Sequence, residues 1–334
     1  MTHPSGLQVG IGLDVAAHTA DIGNARWDFW KTIIARLDHH VEFVTLEDGF
    51  ASADGDGLDA ILLANWLAPR SHKIGIIGGA PVNFFEPFHI STAVATLDFV
   101  SEGRAGLLAL QYRDARASQA RQAIGALNGF PDTDTATLEQ DARDAIEVIQ
   151  RLWDSWEDGT VIRDKESHRF LDGSKLHYIN FEGAAFRVLD PSITPRPPQG
   201  KPVVAVAYRK GDDPSLAAAA DVVFLNLDAA DIAGTIGTIR GSASLKAQAF
   251  IADIQIDAEK KPLAETVAQV EGIAASGVHG IRLILSNSKE QLERLVGELL
   301  PALKDASLIR DVAVGTLRSR FGLPVAGNRY APAA

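Results

Sequence analysis

The sequence predicts a (β/α)₈ barrel, the TIM barrel architecture, because eight short apolar segments alternate with eight longer segments of helical spacing. Apolar segments that are each followed by a helix are typical of parallel strands buried on both faces. Eight such units favour a closed barrel, with an open doubly wound sheet as the structural alternative. The length of 334 residues fits a single barrel domain over 1–334, since such barrels often exceed about 250 residues.

The predicted strands are short and mostly apolar, and they cover residues 9–13, 41–46, 73–78, 105–110, 203–207, 222–227, 247–256 and 280–285. The predicted helices have apolar residues three and four positions apart, and they cover residues 27–38, 58–68, 87–100, 137–156, 214–220, 229–239, 263–275 and 288–303.

One segment interrupts this alternation between the fourth and fifth units. Residues 157–200 are polar, contain four glycines and end in a proline cluster, which predicts an inserted loop with short β pieces. Loops of this length within compact domains usually have a function. The C-terminal tail, residues 304–334, has no strand pattern, and we expect it to wrap the barrel or to meet a partner subunit.

Composition excludes several classes of function. The net charge of −11 without a basic segment argues against nucleic acid as a partner. The absence of cysteine rules out disulfides, thiolate metal sites and a cysteine nucleophile. The adjacent His39 and His40 have no acidic partner that would make them a metal site. No signal segment and no stretch of about 20 apolar residues is found, so we expect no membrane association and a cytoplasmic location.

Three groups of motifs carry a resemblance to a known family. They are EPFH (86–89) with TLDFVSEGRAG (96–106); LWDSW (152–156) with IRDK (162–165), KLHYI (175–179), which contains His177, and PRPPQGKPV (195–203); and GTLR (315–318) with FGLP (321–324). Together they resemble the luciferase-like, flavin-dependent monooxygenases, in particular the branch of nitrilotriacetate monooxygenase component A and its desulfurising relatives. The motifs within the insertion are the most specific, because their Trp, Lys, His and Pro spacing is not general barrel sequence.

The resemblance implies a two-component, FMN-dependent monooxygenase. Such an enzyme takes reduced FMN from a separate flavin reductase and uses dioxygen to oxygenate a small organic substrate, with the flavin lying across the C-terminal mouth of the barrel. Two alternatives remain open. The chain is either a non-catalytic or flavin-poor luciferase-like subunit that partners a catalytic homologue, or an oxidoreductase that uses a deazaflavin.

The candidate site residues follow the predicted strands. Asp48 ends the second strand at a position where the family places an acid, and it can hydrogen-bond the flavin or simply cap a helix. His18 follows the first strand and is the candidate catalytic acid, since a histidine titrates near neutral pH. The family has a cis peptide at the end of the third strand, which here corresponds to Ala80–Pro81 after Gly79. Proline tolerates a cis bond better than other residues, so we expect a cis bulge there for the flavin ring.

Two regions depart from the family pattern. At the end of the fourth strand, an expected Asn is replaced by Leu108 and an expected Thr by Gln111, followed by Tyr112. After the fifth strand, the small-residue loop that meets the FMN phosphate in the family is replaced by Tyr208, Arg209, Lys210, Gly211, Asp212 and Asp213. Arg209 or Lys210 can hold a phosphate by charge, whereas the two aspartates oppose it.

The resemblance also implies assembly. The family commonly pairs through the helices beside the second and third strands, so we expect a homodimer. The apolar residues available there are Leu58, Ile61, Leu62, Trp66, Phe88, Val94 and Phe99. The substrate lid that the family carries between the seventh and eighth strands is missing from this chain, so the insertion or another subunit is expected to cover the site.

Overall fold

The computed structural model describes residues 6–15, 26–50, 57–125, 134–242, 248–256, 262–285 and 289–331. The eight barrel strands are β1 (Gln8–Asp14), β2 (Phe43–Glu47), β3 (Gly75–Pro81), β4 (Ala105–Leu110), β9 (Val203–Arg209), β10 (Val222–Asn226), β11 (Ala249–Ile256) and β12 (Gly280–Leu285). All neighbouring strands run parallel, and β12 closes the barrel by pairing with β1 through Gln8 and Gly280. The predicted TIM barrel is confirmed, and closure excludes the open sheet.

Helices surround the barrel. They are α1 (Arg26–Leu37), α2 (Ala60–Leu67), α3 (Pro87–Val100), α4 (Asp114–Ile124), α5 (Thr135–Asp154), α6 (Pro214–Ala218), α7 (Ala229–Ser242), α8 (Leu263–Ala274), α9 (Lys289–Arg294), α10 (Leu300–Asp305) and α11 (Leu317–Arg320). A π-helical turn, Leu295–Leu299, joins α9 to α10. Among the described helices, none combines the length and apolar character that crossing a lipid bilayer requires.

The strand side chains alternate between two cores. In β3, Ile76 packs beneath the surrounding helices, while the next residue, Ile77, lies inside the barrel with Phe43 and Phe224. This period of two explains why the strands are apolar throughout, since both of their faces are covered. It also decides which residues near the strand ends face the mouth of the barrel.

The insertion forms two short antiparallel hairpins: β5 (Val161–Asp164) with β6 (Arg169–Leu171), and β7 (Phe181–Glu182) with β8 (Arg187–Val188). Ile179 and Phe181 pack against Val148 and Leu152 of α5. The insertion therefore lies along the outer side of this helix, between the fourth and fifth units as predicted.

The position of His177 in the matched motifs suggests that it pins the insertion to the barrel. The structure shows one such contact, since the backbone N–H of His177 donates to the carbonyl of Ser155 at the end of α5 at 2.8 Å, while the side chain contacts the insertion itself and the C-terminal tail. His177 Nε2 lies 2.6 Å from Glu157 Oε1, and the imidazole stacks on the Tyr330 ring with 5.2 Å between centroids.

Two elements differ from the sequence prediction. Helix α4 was not predicted, because its buried side presents only small residues such as Ala117 and Ala120, which give no strong hydrophobic period. Strand β3 runs three residues beyond its predicted end, since Gly79, Ala80 and Pro81 all continue the ladder with β4.

Candidate active site

The C-terminal ends of the strands surround an open cavity of about 190 Å³. Its lining comes from β2, β4, β9, β10, β11 and β12 and from the segments that follow β4 and β9. This is the mouth at which barrel enzymes hold their reacting groups. None of the described residues that line the cavity belongs to the insertion, so the insertion does not cover the mouth from its place beside α5.

A buried ion cluster forms the floor of this cavity. Arg282 of β12 donates to both carboxylate oxygens of Asp253 at 2.8 and 2.7 Å, and to Glu47 Oε1 and Thr45 Oγ1 at 3.0 Å each. Its guanidinium also lies 3.9 Å from the centre of the Phe224 ring. Burial alone lowers the pKa of Arg282, but the charges of Asp253 and Glu47 outweigh burial and raise it. Arg282 therefore stays protonated and holds both acids in place through its hydrogen bonds.

The carboxyl group of Asp48 lies at the edge of the mouth and is bound within the protein. Its Oδ2 accepts the backbone N–H of Ala60 at the start of α2, at 2.8 Å. Burial raises the pKa of Asp48 to about 6, and the nearby Asp59 and Asp14 add to this, whereas the bond from Ala60 opposes it. In the structure Asp48 thus ties the end of β2 to α2, which is the contact expected of the structural alternative, and its hydrogen bond to a flavin stays a prediction.

The end of β3 approaches its neighbour closely. A Cβ atom on Gly79 would lie 2.7 Å from the carbonyl oxygen of Leu46, so only glycine fits there. The side chain of Ala80 belongs to the core beneath the helices, and Pro81 pairs opposite Leu110. Gly79, Ala80 and Pro81, which the sequence placed at the flavin, are not among the described residues that line the cavity. The cis geometry expected for the Ala80–Pro81 bond stays a prediction.

The end of β4 is braced by Asn83. The Asn83 amide accepts from the backbone N–H of Tyr112 at 3.1 Å and donates to its carbonyl at 2.8 Å. The Tyr112 hydroxyl donates to the carbonyl of Asp48. Tyr112 is therefore buried and serves the structure of the strand end. Gln111, by contrast, lines the cavity, and its buried Nε2 has no hydrogen-bond partner among the described residues.

Strand β9 runs two residues beyond its predicted end, through Tyr208 and Arg209, and the side chains at this end alternate in direction. Tyr208 packs in the outer core and donates its hydroxyl to the Asp212 carbonyl at 3.0 Å. Arg209 lines the cavity, and no described carboxylate lies within ion-pairing distance of its guanidinium. Lys210 does not line the cavity, and its Nζ pairs with Asp231 at 2.8 Å on the exposed surface. Gly211 takes a left-handed conformation, with φ of +90°, that turns the chain.

The two aspartates of this loop bind backbone N–H groups that a phosphate would otherwise need. Asp212 Oδ2 accepts from the N–H of Arg209 at 2.9 Å, and Asp213 Oδ1 accepts from the N–H of Ser215 at 2.6 Å. Asp212 also pairs with Arg113 at 2.8 Å. The backbone N–H groups of Arg209 and Ser215 are therefore already bound and do not fit the phosphate of the FMN implied by the resemblance, whereas the Arg209 side chain could meet it by charge. The cavity offers a polar ring one buried donor, the Nε2 of Gln111.

Sequence reasoning missed the ion cluster and the polar side chains beside it. Arg282 and Asp253 each stand within an otherwise apolar strand, and that pattern is the signal that should have marked them. Asn226 and Gln255 also line the cavity from the ends of β10 and β11. The candidate acid His18 lies outside the described residues.

The chain is similar in fold and in sequence to known proteins. A long-chain alkane monooxygenase of known structure superimposes with a TM-score of 0.80 over 96% of both chains at 18% identity, which shows a shared fold. One of the pristinamycin IIA synthase subunits, from Streptomyces pristinaespiralis, is 30% identical over 86% of both chains. Nitrilotriacetate monooxygenase component A of Aminobacter aminovorans is 34% identical over 50% of this chain.

The match to the last of these proteins is partial, since it covers 36% of that protein's own length. A second relative that is named a monooxygenase is likewise matched over 36% of its own length. The model of the luciferase-like monooxygenase family matches residues 39–257, from just before β2 to just after β11. With the closed barrel, the mouth at the strand ends and a relative aligned along most of both chains, this match shows that the chain belongs to the luciferase-like monooxygenase family.

Proposed function

We propose that this chain is the oxygenating component of a two-component, FMN-dependent monooxygenase, with its active site at the mouth of the barrel. The observation that carries the proposal is the buried Nε2 of Gln111, a donor without an acceptor among the described residues, beside an open cavity. Such a donor is costly unless a ligand accepts from it. A flavin ring carries carbonyl oxygens that can do so.

The described residues suggest how the flavin would be held. Gln111 would donate to the ring, Ala109, Leu110 and Ile284 would provide apolar contact, and Arg209 would face the phosphate as a rim cation that no described carboxylate neutralises. Bound reduced flavin would supply the activation of dioxygen. The Arg282 cluster would keep the floor rigid, which favours a fixed position for ring and substrate. A separate reductase would deliver the reduced cofactor.

A second candidate function is that of a flavin-poor subunit working with a catalytic homologue. The carboxylates of Asp212 and Asp213 already bind the backbone N–H groups of the loop that would meet the phosphate. The insertion lies beside α5 and does not cover the mouth. A relative aligned over 86% of both chains is itself named as part of a multi-subunit synthase. In this case the cavity would be completed by another protein.

Anaerobic titration with reduced FMN separates the two functions. If the chain is the oxygenating component, the purified protein alone binds reduced FMN at micromolar concentration. If the chain is flavin-poor, binding requires a second luciferase-like protein. A parallel titration with a reduced deazaflavin tests the third alternative, and failure with both cofactors would rule out the enzymatic proposals.

A further inference from the structure

A second cavity, of about 540 Å³, opens at the opposite end of the barrel. It lies beside the first residue of β1 and the segment that leads into β12, between the end of α7 and the C-terminal tail. Three arginines line it, Arg240, Arg310 and Arg320, and no described lining residue is acidic. Such a cavity is unexpected in a chain with a net charge of −11.

Arg320 is the deepest of these cations, with only 2% of its side chain exposed. Its Nη1 donates to the carbonyl oxygens of Lys73 at 2.8 Å and of Glu42 at 3.3 Å. Its Nε and Nη2 are buried and have no hydrogen-bond partner among the described residues. Unpaired N–H groups of a buried cation are costly, so an acceptor at this place would stabilise the protein.

The protein supplies too little negative charge here. Glu42 Oε1 accepts from Arg310 at 3.2 Å and from the N–H of Ala313 at 3.1 Å, and Glu42 Oε2 lies 3.4 Å from Arg320. One carboxylate is thus shared by two guanidinium groups. Burial, together with the charges of Arg104 and Arg310, outweighs Glu42 and lowers the pKa of Arg320. Further negative charge would relieve this imbalance.

The same cavity has apolar walls. Leu7, Val278 and Phe321 line it and are each buried to more than nine-tenths. From this combination we propose that the cavity binds a small organic anion, a carboxylate or a phosphate ester. The oxyanion meets Arg320 and the two neighbouring arginines, and the apolar body of the ligand rests on these walls. The site is independent of the flavin proposed for the mouth.

Calorimetric titration at constant ionic strength tests the proposal with three probes of similar size: phenyl phosphate, phenylacetate and the neutral 2-phenylethanol. At least one anion should bind and raise the melting temperature, whereas the alcohol should do neither. The two anions show whether phosphate or carboxylate is preferred. Arg320→Gln is a poor variant because it also removes bonds to two backbone carbonyls. Arg240→Gln avoids this problem, since Arg240 is an exposed residue in the last turn of α7.

Arg240→Gln should weaken anion binding about tenfold, as expected for losing one charge-assisted contact. Arg121→Gln is the matched control, because Arg121 is an exposed arginine in the last turn of α4 and does not line this cavity. Arg209→Ala controls for binding at the mouth, and neither control should change the affinity. The proposal is overturned if no anion binds, if the alcohol binds equally well, or if Arg240→Gln leaves the affinity unchanged. Loss of binding in Arg209→Ala would also overturn it.

Discussion

At the residue scale, Asp48 is a partly buried acid whose charged form is disfavoured in the native state by burial. Its pKa is raised to about 6 chiefly by burial, whereas an aspartate in an unfolded chain titrates near ~3.9. Between these values the native protein binds the proton that the unfolded chain has lost. The contribution of Asp48 to stability therefore falls as pH rises through this interval, and the cost is complete above it.

Asp48→Asn removes this cost and keeps an oxygen to accept the Ala60 N–H. We expect the variant to be more stable than the wild type by about 1–2 kcal/mol at neutral pH, with the difference disappearing near pH ~4. Urea unfolding at both pH values measures this. Asp59→Asn keeps the cap of α2 and removes only the part of the raised Asp48 pKa that comes from the Asp59 charge, so its stabilising effect should be smaller than that of Asp48→Asn. An equal effect of Asp48→Asn at both pH values would contradict the account.

Cavity-lining positions were predictable at the C-terminal ends of the predicted strands and not in the middle of a strand. Gln111 and Arg209 come directly after apolar segments, and both line the cavity. Tyr208 was also proposed, but the alternation of β9 turns it toward the helices. Arg282 was missed because its role depends on Asp253 and Glu47, which come from two other strands. An ion pair between strands that are far apart in the sequence cannot be predicted from the apolar pattern of one segment.

At the element scale, a buried carboxylate adds to the apolar packing that holds the insertion on α5. Asp154 at the end of α5 has no exposed side-chain surface, and it pairs with Arg196 and with Lys201 at 2.9 Å each. Arg196 is itself 5% exposed. Asn328 of the tail donates to the Asp154 carbonyl at 2.8 Å, so insertion and tail meet at this residue.

Removing one partner of a buried pair leaves the other charge without compensation. Asp154→Ala should therefore destabilise the protein by about 3–5 kcal/mol in urea unfolding. Asp158 also lies near Arg196, at 3.5 Å, but its side chain is 90% exposed. For this matched control, Asp158→Ala, we expect a loss of at most about 1 kcal/mol. Similar losses in the two variants would show that the Asp154 cluster does not anchor the insertion.

The elements themselves were largely predictable, because apolar periodicity reports directly on burial. All eight barrel strands and the position of the insertion were confirmed. Helix α4 was not predicted, because the alanines on its buried side give only a weak hydrophobic period. The extension of β3 through Pro81 depends on the close approach of Gly79 to Leu46, which is a property of neighbouring strands.

At the scale of the whole molecule, α2 and α3 present an apolar surface that suits a second copy. Leu62 is 66% exposed and Phe99 43% exposed, whereas Ile61 and Val94 are buried in the core and cannot take part. We expect a homodimer through this surface in sedimentation at micromolar concentration. Leu62→Asp should shift it toward monomer. Val325→Asp, at an exposed apolar residue of the tail, should not. A monomeric wild type would contradict the expectation.

The central proposal is that the barrel mouth holds FMN, with Arg209 at its phosphate. The most direct measurement is the dissociation constant of FMN and of riboflavin, which lacks the phosphate, for the wild type, Arg209→Ala and Lys210→Ala. Arg209 lines the cavity, whereas Lys210 is held by Asp231 outside it. Arg209→Ala should weaken FMN about tenfold more than riboflavin, and Lys210→Ala should change neither. Equal weakening of both ligands by Arg209→Ala, or no binding of FMN to the wild type, would contradict the proposal.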